Sequence, residues 1–336
     1  MAIDKTIQDR DAATSAAGPA DARLGRREVL GALVAAAAVG SAACAPRKQV
    51  TPSQSREKES AMSQPESRMP VTFVAHGGGP WPILDLGFPQ NERTSLLKHM
   101  SDVRRVAPTT PRALLVISAH WEAQVPTVTS SAKPPLLYDY YGFPPEAYTL
   151  TWPAPGHPAL ASRVRGLLAA AGFATAEDPE RGFDHGTFIP LKVAFPEAQI
   201  PVVQLSLIQG LDPQQHLLMG RALEPLRDEG VFIVGSGNSF HNMGVFRGQM
   251  QGSVPGSQER SAKFDDWLRS AVTAHATARD EQLASWEQAP FGRYAHPREE
   301  HLVPLMVVAG AAGVDRGVTT WSGSLAGLNI SAFRFG

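Results

Sequence analysis

The stretch ALLVISAHW, residues 113–121, decides the fold class of this chain. Its first five residues are apolar, with no polar residue in alternation, which is typical of a strand buried on both faces of a sheet. Comparable β-rich runs occur at 71–74, 201–205 and 231–234. The sequence therefore predicts a sheet whose strands are covered on both sides.

The segments that separate these runs have the pattern of helices, and they lie at about 90–105, 158–171, 213–228, 257–278 and 297–311. Alternating strands and helices predict an α/β fold with a central mixed, largely parallel sheet flanked by helices. We find no internal repeat or second linker after residue 69, so residues 69–336 are predicted to form one domain. Ligands bind beyond the carboxyl ends of the strands in such sheets, and the functional site is expected there.

Histidines follow three of the predicted strands. His76 comes after the first strand, His120 after the second, and His241 lies just past the fourth. His301 lies in the last predicted helix, where Pro297 and the acidic residues after it are typical of a first helical turn. Histidines at one end of a sheet can converge, which predicts a metal site. Neutral imidazole suits Zn, Fe, Cu and Ni, so the residue types alone do not select the metal.

The composition excludes several classes of protein. The 31 Lys and Arg residues balance 32 Asp and Glu residues, and a net charge of −1 gives no electrostatic basis for nucleic-acid binding. Hydrophobic residues make up 43% of the chain, which excludes disorder throughout. The single cysteine, Cys44, excludes a disulfide framework within the chain and a zinc-ribbon site. No G-x-S-x-G elbow occurs, and residues 69–336 lack cysteine, which argues against covalent hydrolysis by serine or thiol.

Residues 1–44 have the features of a signal peptide. Arg26 and Arg27 precede an apolar stretch at 31–40 that is too short and too alanine-rich for a comfortable transmembrane span. The paired arginines resemble a twin-arginine signal, and the alternative is an ordinary secretory signal with a chance arginine pair. We therefore expect an exported protein.

The end of this segment leaves two possibilities for the mature protein. Ser41-Ala42-Ala43-Cys44 resembles a degenerate lipoprotein cleavage box, in which Cys44 would carry the lipid. The alternative is cleavage after the small residues, with Cys44 incidental. Residues 45–68 have the composition of a disordered linker. The protein is expected to be periplasmic, or lipid-anchored to the membrane facing the periplasm, with membrane contact only through a lipid at Cys44.

Five short motifs containing histidine occur along residues 69–336. They are His76-Gly77 with Pro80, Ser118-Ala119-His120-Trp121, Gly182-Phe183-Asp184-His185-Gly186, His241-Asn242 and Glu300-His301-Leu302-Val303-Pro304-Leu305. Over essentially all of 69–336 the chain resembles the 4,5-DOPA extradiol dioxygenases, members of the LigB-type superfamily of extradiol aromatic ring-opening dioxygenases, in which these motifs occur in the same order. The first motif departs from the usual histidine-glycine-serine-proline of that family, because three glycines separate His76 from Pro80.

This resemblance implies one divalent metal ion per chain, held by His76, His120 and His301, with His241 as a fourth ligand or a nearby base. Fe(II) is expected for activity, because d¹⁰ Zn²⁺ offers no redox step towards O₂, while Zn(II) is an alternative occupant of the same histidines. A histidine within reach of the diol can take a proton and return it later, and His185 and His241 are the candidates.

His185 is predicted to transfer protons and not to bind the metal. Flanking glycines would let its imidazole approach a bound diol, and Asp184 either orients this ring or forms a turn. The alternative is a turn histidine packed under Phe188. Three other histidines in polar helical stretches are expected to be solvated: His99, His216 and His275.

The leading hypothesis is an exported, metal-dependent extradiol dioxygenase that opens the aromatic ring of a catechol-type substrate with O₂. Its partners would be a small aromatic diol and O₂. A zinc-dependent hydrolase with zinc-activated water on the same histidines is one alternative. A non-catalytic exported metal-binding lipoprotein is another.

Overall fold

The computed structural model describes residues 68–336, so the predicted signal peptide at 1–44 and almost all of the linker at 45–68 lie outside the described residues. The strands of this part of the chain are β1 Val71–Ala75, β2 Ala113–Ala123, β3 Thr127–Thr129, β4 Ala176–Asp178, β5 Val202–Ile208, β6 Val231–Gly237, β7 Gly317–Leu325 and β8 Leu328–Phe335. They form one sheet in the order β4-β3-β5-β2-β6-β1-β8-β7.

The centre of the sheet is parallel, as predicted. Strands β5, β2, β6 and β1 are parallel neighbours, and every residue of β1, β5 and β6 is buried. Strand β8 pairs antiparallel with β1 and β7, and β3 pairs antiparallel with β5. The carboxyl ends of β1, β2 and β6 therefore meet at one edge of the sheet.

The helices in the described part are α1 Gln90–Asp102, α2 Pro158–Ala170, α3 His185–Ala194, α4 Pro213–Leu223, α5 Met243–Gln251, α6 Ser257–Thr273, α7 Ala276–Ala284, α8 Gly292–Ala295 and α9 Val303–Ala311. Helix α9 is buried along its whole length and packs on β6 and α4. Helix α3 packs on β2 and β6. Within residues 68–336, no helix combines the length and hydropathy that crossing a membrane requires.

Two helix predictions were wrong in their boundaries. The predicted helix 257–278 is two helices, because Ala274 adopts an extended conformation (ψ 167°) and His275 caps α7 by accepting from Ala278 N. The predicted helix 297–311 begins only at Val303. Pro304 occupies its first turn, and Pro297 belongs to the preceding loop.

Candidate metal centre and active-site cavity

Three histidines converge at the carboxyl edge of the sheet. The Nε2 atoms of His76 and His120 are 3.1 Å apart, and one ring nitrogen from each of His76, His120 and His301 lies within 4.8 Å of the others. The ring centroid of His301 lies 5.1 Å from that of His76 and 4.8 Å from that of His120. We call these three residues the histidine cluster. The sequence predicted this convergence, and the three ring nitrogens lie close enough together to hold a metal ion.

Each member of the histidine cluster is placed by a different local structure. His76 directly follows β1, as predicted. His120 lies inside β2 and not after its end, in a segment where the pairing with β5 shifts register between Ile117 and Glu122. An irregularity of this kind can redirect a side chain within a strand. His120 accordingly lines the cavity although β2 continues to Ala123.

His301 lies in the loop before α9 and not on a helix, contrary to the prediction. Its position depends on a close approach to the end of β6. A Cβ atom at Gly237 would lie 2.1 Å from the carbonyl oxygen of His301. Only glycine therefore allows the loop to lie this close to the strand.

Hydrogen bonds leave the metal-facing nitrogens of two cluster members available. Nδ1 of His76 lies 3.0 Å from the hydroxyl of Ser236, which itself donates to the carbonyl of Gly186. The Ser236 hydroxyl therefore accepts from His76 Nδ1–H. Nδ1 of His301 lies 3.0 Å from Oε1 of Glu300. Partners of this kind orient metal-binding histidines and set their tautomers, leaving Nε2 with a free lone pair.

Burial keeps the cluster in its neutral form. Desolvation, reinforced by the neighbouring histidines, holds the pKa values of His76, His120 and His301 well below the usual value for histidine. Neutral imidazole is the form that binds a metal ion.

His185 is the first residue of α3 and lies beside the cluster, with its ring centroid 3.9 Å from that of His120. Its Nδ1 and its backbone N each lie 2.8 Å from Oδ1 of Asp139. Burial opposes ionisation of Asp139, but the hydrogen bonds from the side chain and backbone of His185 help to outweigh it and lower the pKa of this carboxyl. The Asp139 carboxylate therefore fixes the His185 ring with Nδ1 as the donor.

Asp184 does not orient His185, which corrects one of the two sequence-based alternatives. It is fully buried and caps α3 by accepting from Thr187 N. It also accepts from the Ser118 hydroxyl at 2.7 Å and from the side chain of Gln204. Burial raises the pKa of Asp184. Its role is to fix the start of α3 against β2 and β5, as the turn-forming alternative implied.

His241 follows β6 and stacks on His301, with ring centroids 3.4 Å apart. Its Nδ1 lies 2.9 Å from Oε1 of Glu300, the same oxygen that faces His301. Burial opposes ionisation of Glu300, but the hydrogen bond from His241 outweighs it and lowers the pKa of this carboxyl. His241 thus groups with Glu300 and His301 and not with His76 and His120. Its role as fourth ligand or base stays a prediction.

A cavity of about 610 Å³ opens onto these histidines. Phe143 lines this cavity. Tyr141 is 90% exposed, and Trp121 packs under the guanidinium of Arg181 at 4.5 Å. The other walls come mainly from the glycine loop after His76 and from α5: Gly77, Gly78, Gly79, Trp81, Leu86, Phe88, Asn238, Met243, Phe246, Arg247, Met250 and Leu325. This volume is sufficient for a small aromatic ligand.

Two histidines predicted to be solvated are buried. His99 is 5% exposed and stacks on Trp321. His216 is fully buried, accepts from Ile208 N at 3.0 Å and donates to Asp212 O at 2.7 Å. Burial lowers the pKa of each to about 4. Neither lines the cavity.

Sequence reasoning missed Asp139 and Ser236. Asp139 lies 46 positions before His185, in a segment without a recognisable secondary structure pattern. Ser236 lies inside β6, where its hydroxyl is indistinguishable from that of any buried strand serine. A hydrogen-bonding partner for each histidine could be expected on general grounds, but the sequence did not identify it.

Comparisons with known proteins agree on one family. Residues 70–330 match the family described as the catalytic LigB subunit of aromatic ring-opening dioxygenase. A protein of Hapsidospora irregularis named dioxygenase tasH is 38% identical over 281 residues, covering 80% of this chain and 85% of the relative. A protein of Beta vulgaris named 4,5-DOPA dioxygenase extradiol is 36% identical over 276 residues, covering 80% of this chain and 98% of the relative.

A solved structure supports the same fold. The crystal structure of an uncharacterised protein from Escherichia coli K12 superimposes with a TM-score of 0.64 at 30% sequence identity. The superposition covers 80% of this chain and 100% of that protein.

Proposed function

The chain belongs to the LigB family of aromatic ring-opening dioxygenases and is a metal-dependent extradiol dioxygenase, and from this premise we propose that it opens a catechol bound between the histidine cluster and His185. The convergence of His76, His120 and His301 carries this proposal. The hydrolase and the non-catalytic lipoprotein are not favoured, because the family match and the named relatives are dioxygenases.

The histidine cluster fits a divalent metal ion. The donors are neutral imidazoles, buried at His76 and His301 and half-buried at His120, and the Nδ1 atoms of His76 and His301 already have hydrogen-bonding partners. Imidazole accommodates iron and zinc alike, so the donor set does not select between them. We propose Fe(II), which when bound supplies the electron exchange with O₂ that Zn²⁺, with its filled d shell, lacks.

His185 is proposed to move the proton of the catechol. With Nδ1–H donated to Asp139, the Nε2 atom is the proton acceptor, and His185 lines the cavity beside His120. A catechol that binds as its anion must lose a proton, and a base held next to the cluster can take it and return it to the product. His241 is the second candidate, since its Nδ1 is engaged by Glu300 in the same way.

The substrate is proposed to be a small catechol. Two aromatic residues, Trp81 and Phe88, line the cavity close to one another, with ring centroids 4.8 Å apart. Aromatic and apolar walls favour a planar ring, while polar groups at the histidine end orient its hydroxyls. The relative from Beta vulgaris is named 4,5-DOPA dioxygenase extradiol, and because DOPA is a catechol this name supports the proposed class.

Export remains a proposal that rests on the sequence alone. Arg26 and Arg27 support a twin-arginine signal, and Cys44 supports lipidation. Changing both arginines to lysine should leave the precursor in the cytoplasm, whereas normal processing would point to the general secretory route. A mass increase at an N-terminal Cys44 of the mature protein would reveal the lipid, and an unmodified N-terminus after a small residue would exclude it.

The function is tested with a panel of catechols and the Fe(II)-reconstituted protein. We expect O₂ uptake together with a yellow ring-opened product. Esters and amides serve as a parallel panel, and metal-dependent cleavage of these without O₂ uptake would favour the hydrolase. Metal binding with turnover of neither panel would favour the non-catalytic alternative.

A further inference from the structure

Helix α5 forms one wall of the cavity with a single face. Met243, Phe246, Arg247 and Met250 all line the cavity, and they are spaced as i, i+3, i+4 and i+7. Residues at this spacing lie on one side of a helix. Three of the four are apolar, so Arg247 places a cation in an otherwise apolar face.

The start of α5 is held in place, so this face has a defined position. The side chain of Asn242 donates to the carbonyl of Tyr294 at 2.8 Å, and it accepts from the backbone N of Val245 at 3.1 Å. His241 immediately precedes Asn242 and stacks on the histidine cluster through His301. Arg247 follows Met243 by one turn, or about 6 Å along the helix axis. Arg247 is exposed, whereas His76 and His301 are buried, so its guanidinium lies nearer to solvent than the histidine cluster does.

Among residues 68–336, Arg247 is the only lysine or arginine that lines the cavity, and no aspartate or glutamate lines it. Most arginines in this part of the chain have a carboxylate partner, as Arg181 has in Asp184 and Arg298 in Glu122. Arg247 forms no ion pair, hydrogen bond or cation–π contact with any described residue. A guanidinium beside an apolar pocket, with no partner among residues 68–336, is suited to bind an anionic group of a ligand.

We infer that Arg247 binds a carboxylate on the side chain of the catechol, an inference that rests on the proposed function and adds the substrate class to it. The diol would lie at the histidine cluster, the ring between the apolar walls, and the carboxylate near the mouth of the cavity. The planar guanidinium can donate two parallel hydrogen bonds to a carboxylate. Arg247 is therefore a specificity-determining residue and has no part in the ring-opening step.

The test compares one catechol in two charge states. Dihydrocaffeate carries a propanoate side chain, and its methyl ester has nearly the same shape without the charge. We expect Arg247→Gln to lower the ratio of kcat/KM for the acid to that for the ester by about 10- to 100-fold. The loss should lie in the KM of the acid, because the contact is made equally in the ground and transition states. Arg247→Lys should restore part of the ratio, since it keeps the charge but not the fork.

Arg316→Gln is the matched control. Arg316 is also exposed and has no partner among the described residues, but it lies before β7 and does not line the cavity. The acid-to-ester ratio of this variant should equal that of the wild type. Raising the ionic strength should increase the KM of the acid in the wild type and not in Arg247→Gln.

Calorimetric binding of the acid and the ester to the anaerobic Fe(II) protein separates this inference from the proposed function. Weaker binding of the acid to Arg247→Gln, with the ester unaffected, supports the inference whether or not the ring is opened. Equal acid-to-ester ratios in binding and in kcat/KM for the wild type and Arg247→Gln overturn it. Absence of ring opening in the wild type with every catechol refutes the proposed function instead.

Discussion

Asp139→Asn is expected to slow ring opening while leaving the metal content and the stability of the protein nearly unchanged. Oδ1 of Asp139 accepts from Nδ1 of His185 and from its backbone N, each at 2.8 Å. The carboxylate thereby sets the tautomer and the orientation of the ring. Hydrogen bonds to charged groups contribute about 1.5–3 kcal/mol, and 1.36 kcal/mol corresponds to a tenfold change in rate, so kcat should fall about 10- to 150-fold.

The assay measures kcat by O₂ uptake, metal content by elemental analysis and stability by thermal unfolding. Asp184→Asn is the matched comparison, because it makes the same chemical change one residue before His185. Asp184 is fully buried and accepts from Ser118, Thr187 and Gln204, so its variant should lose stability. A fall in kcat at Asp139 without a fall in melting temperature would separate positioning from folding.

A double-mutant cycle shows whether Asp139 acts through His185. His185→Gln alone should lower kcat by about 10²- to 10⁴-fold and keep its metal, as expected for the loss of a positioned acid or base. Adding Asp139→Asn should then cost little more, because the residue that Asp139 positions is already absent. Unchanged kcat in Asp139→Asn, or a double variant whose loss equals the product of the single losses, would refute this reasoning. Loss of metal in His185→Gln would make that residue a ligand.

Three further predictions concern the metal, the glycine loop and acid stability. Alanine at any member of the histidine cluster should sharply lower the metal content of the purified protein, and full occupancy in all three variants would exclude the site. Gly79 has φ +56°, and a Cβ atom there would lie 2.9 Å from the ring of Phe143. Gly79→Ala should therefore lower the free energy of unfolding by about 1–2 kcal/mol. Gly78→Ala is the control and should change this free energy little, because a Cβ atom at Gly78 would have no atom within 4 Å. His216 has its pKa lowered to about 4 in the folded state, so its stabilising contribution is complete above pH 6.5 and is lost as the pH falls towards 4. The denaturation free energy should therefore decrease over this range, by up to about 3 kcal/mol from this residue, and an equally steep decrease in His216→Gln would contradict the assignment.

The sequence was sufficient for the elements that carry continuous apolar runs. The runs at 71–74, 113–117, 201–205 and 231–234 lie in the four parallel central strands, because full burial of a strand requires apolar residues on both of its faces. The edge strands were missed. Strand β7 is exposed or half-buried along most of its length and therefore lacks a continuous apolar run, so the composition gives no sign that it pairs with β8.

The histidine cluster could be predicted because its members lie near the ends of predicted strands or in family motifs. The local structure around each of them could not be predicted. His120 lies within β2, since the strand continues after the bulge and no turn residue marks its end. Pro297 and the acids after it resemble a helix start, yet tertiary packing of α9 places the first turn at Pro304. In each case the residue is at the predicted edge of the sheet while its secondary structure differs.

Long-range partners could not be predicted. Asp184 is adjacent to His185 in sequence, but the cap of α3 takes its side chain away from the ring, and Asp139 comes in from another loop. His99 and His216 were placed in solvent because the helices around them are polar, although one face of each helix is buried. A sequence shows which residues are near in the chain, whereas these contacts depend on how the layers pack.

O₂ uptake by two metal forms of the same preparation shows whether the protein is an iron-dependent ring-opening dioxygenase. The protein is stripped of metal and reconstituted with Fe(II) or, under strictly iron-free conditions, with Zn²⁺, and each form is given the catechol panel. We expect O₂ uptake and a yellow ring-opened product in the Fe(II) form, and no O₂ uptake in the Zn²⁺ form although zinc is bound. Equal O₂ uptake by the iron-free zinc form, or none in the Fe(II) form with any catechol, would contradict it.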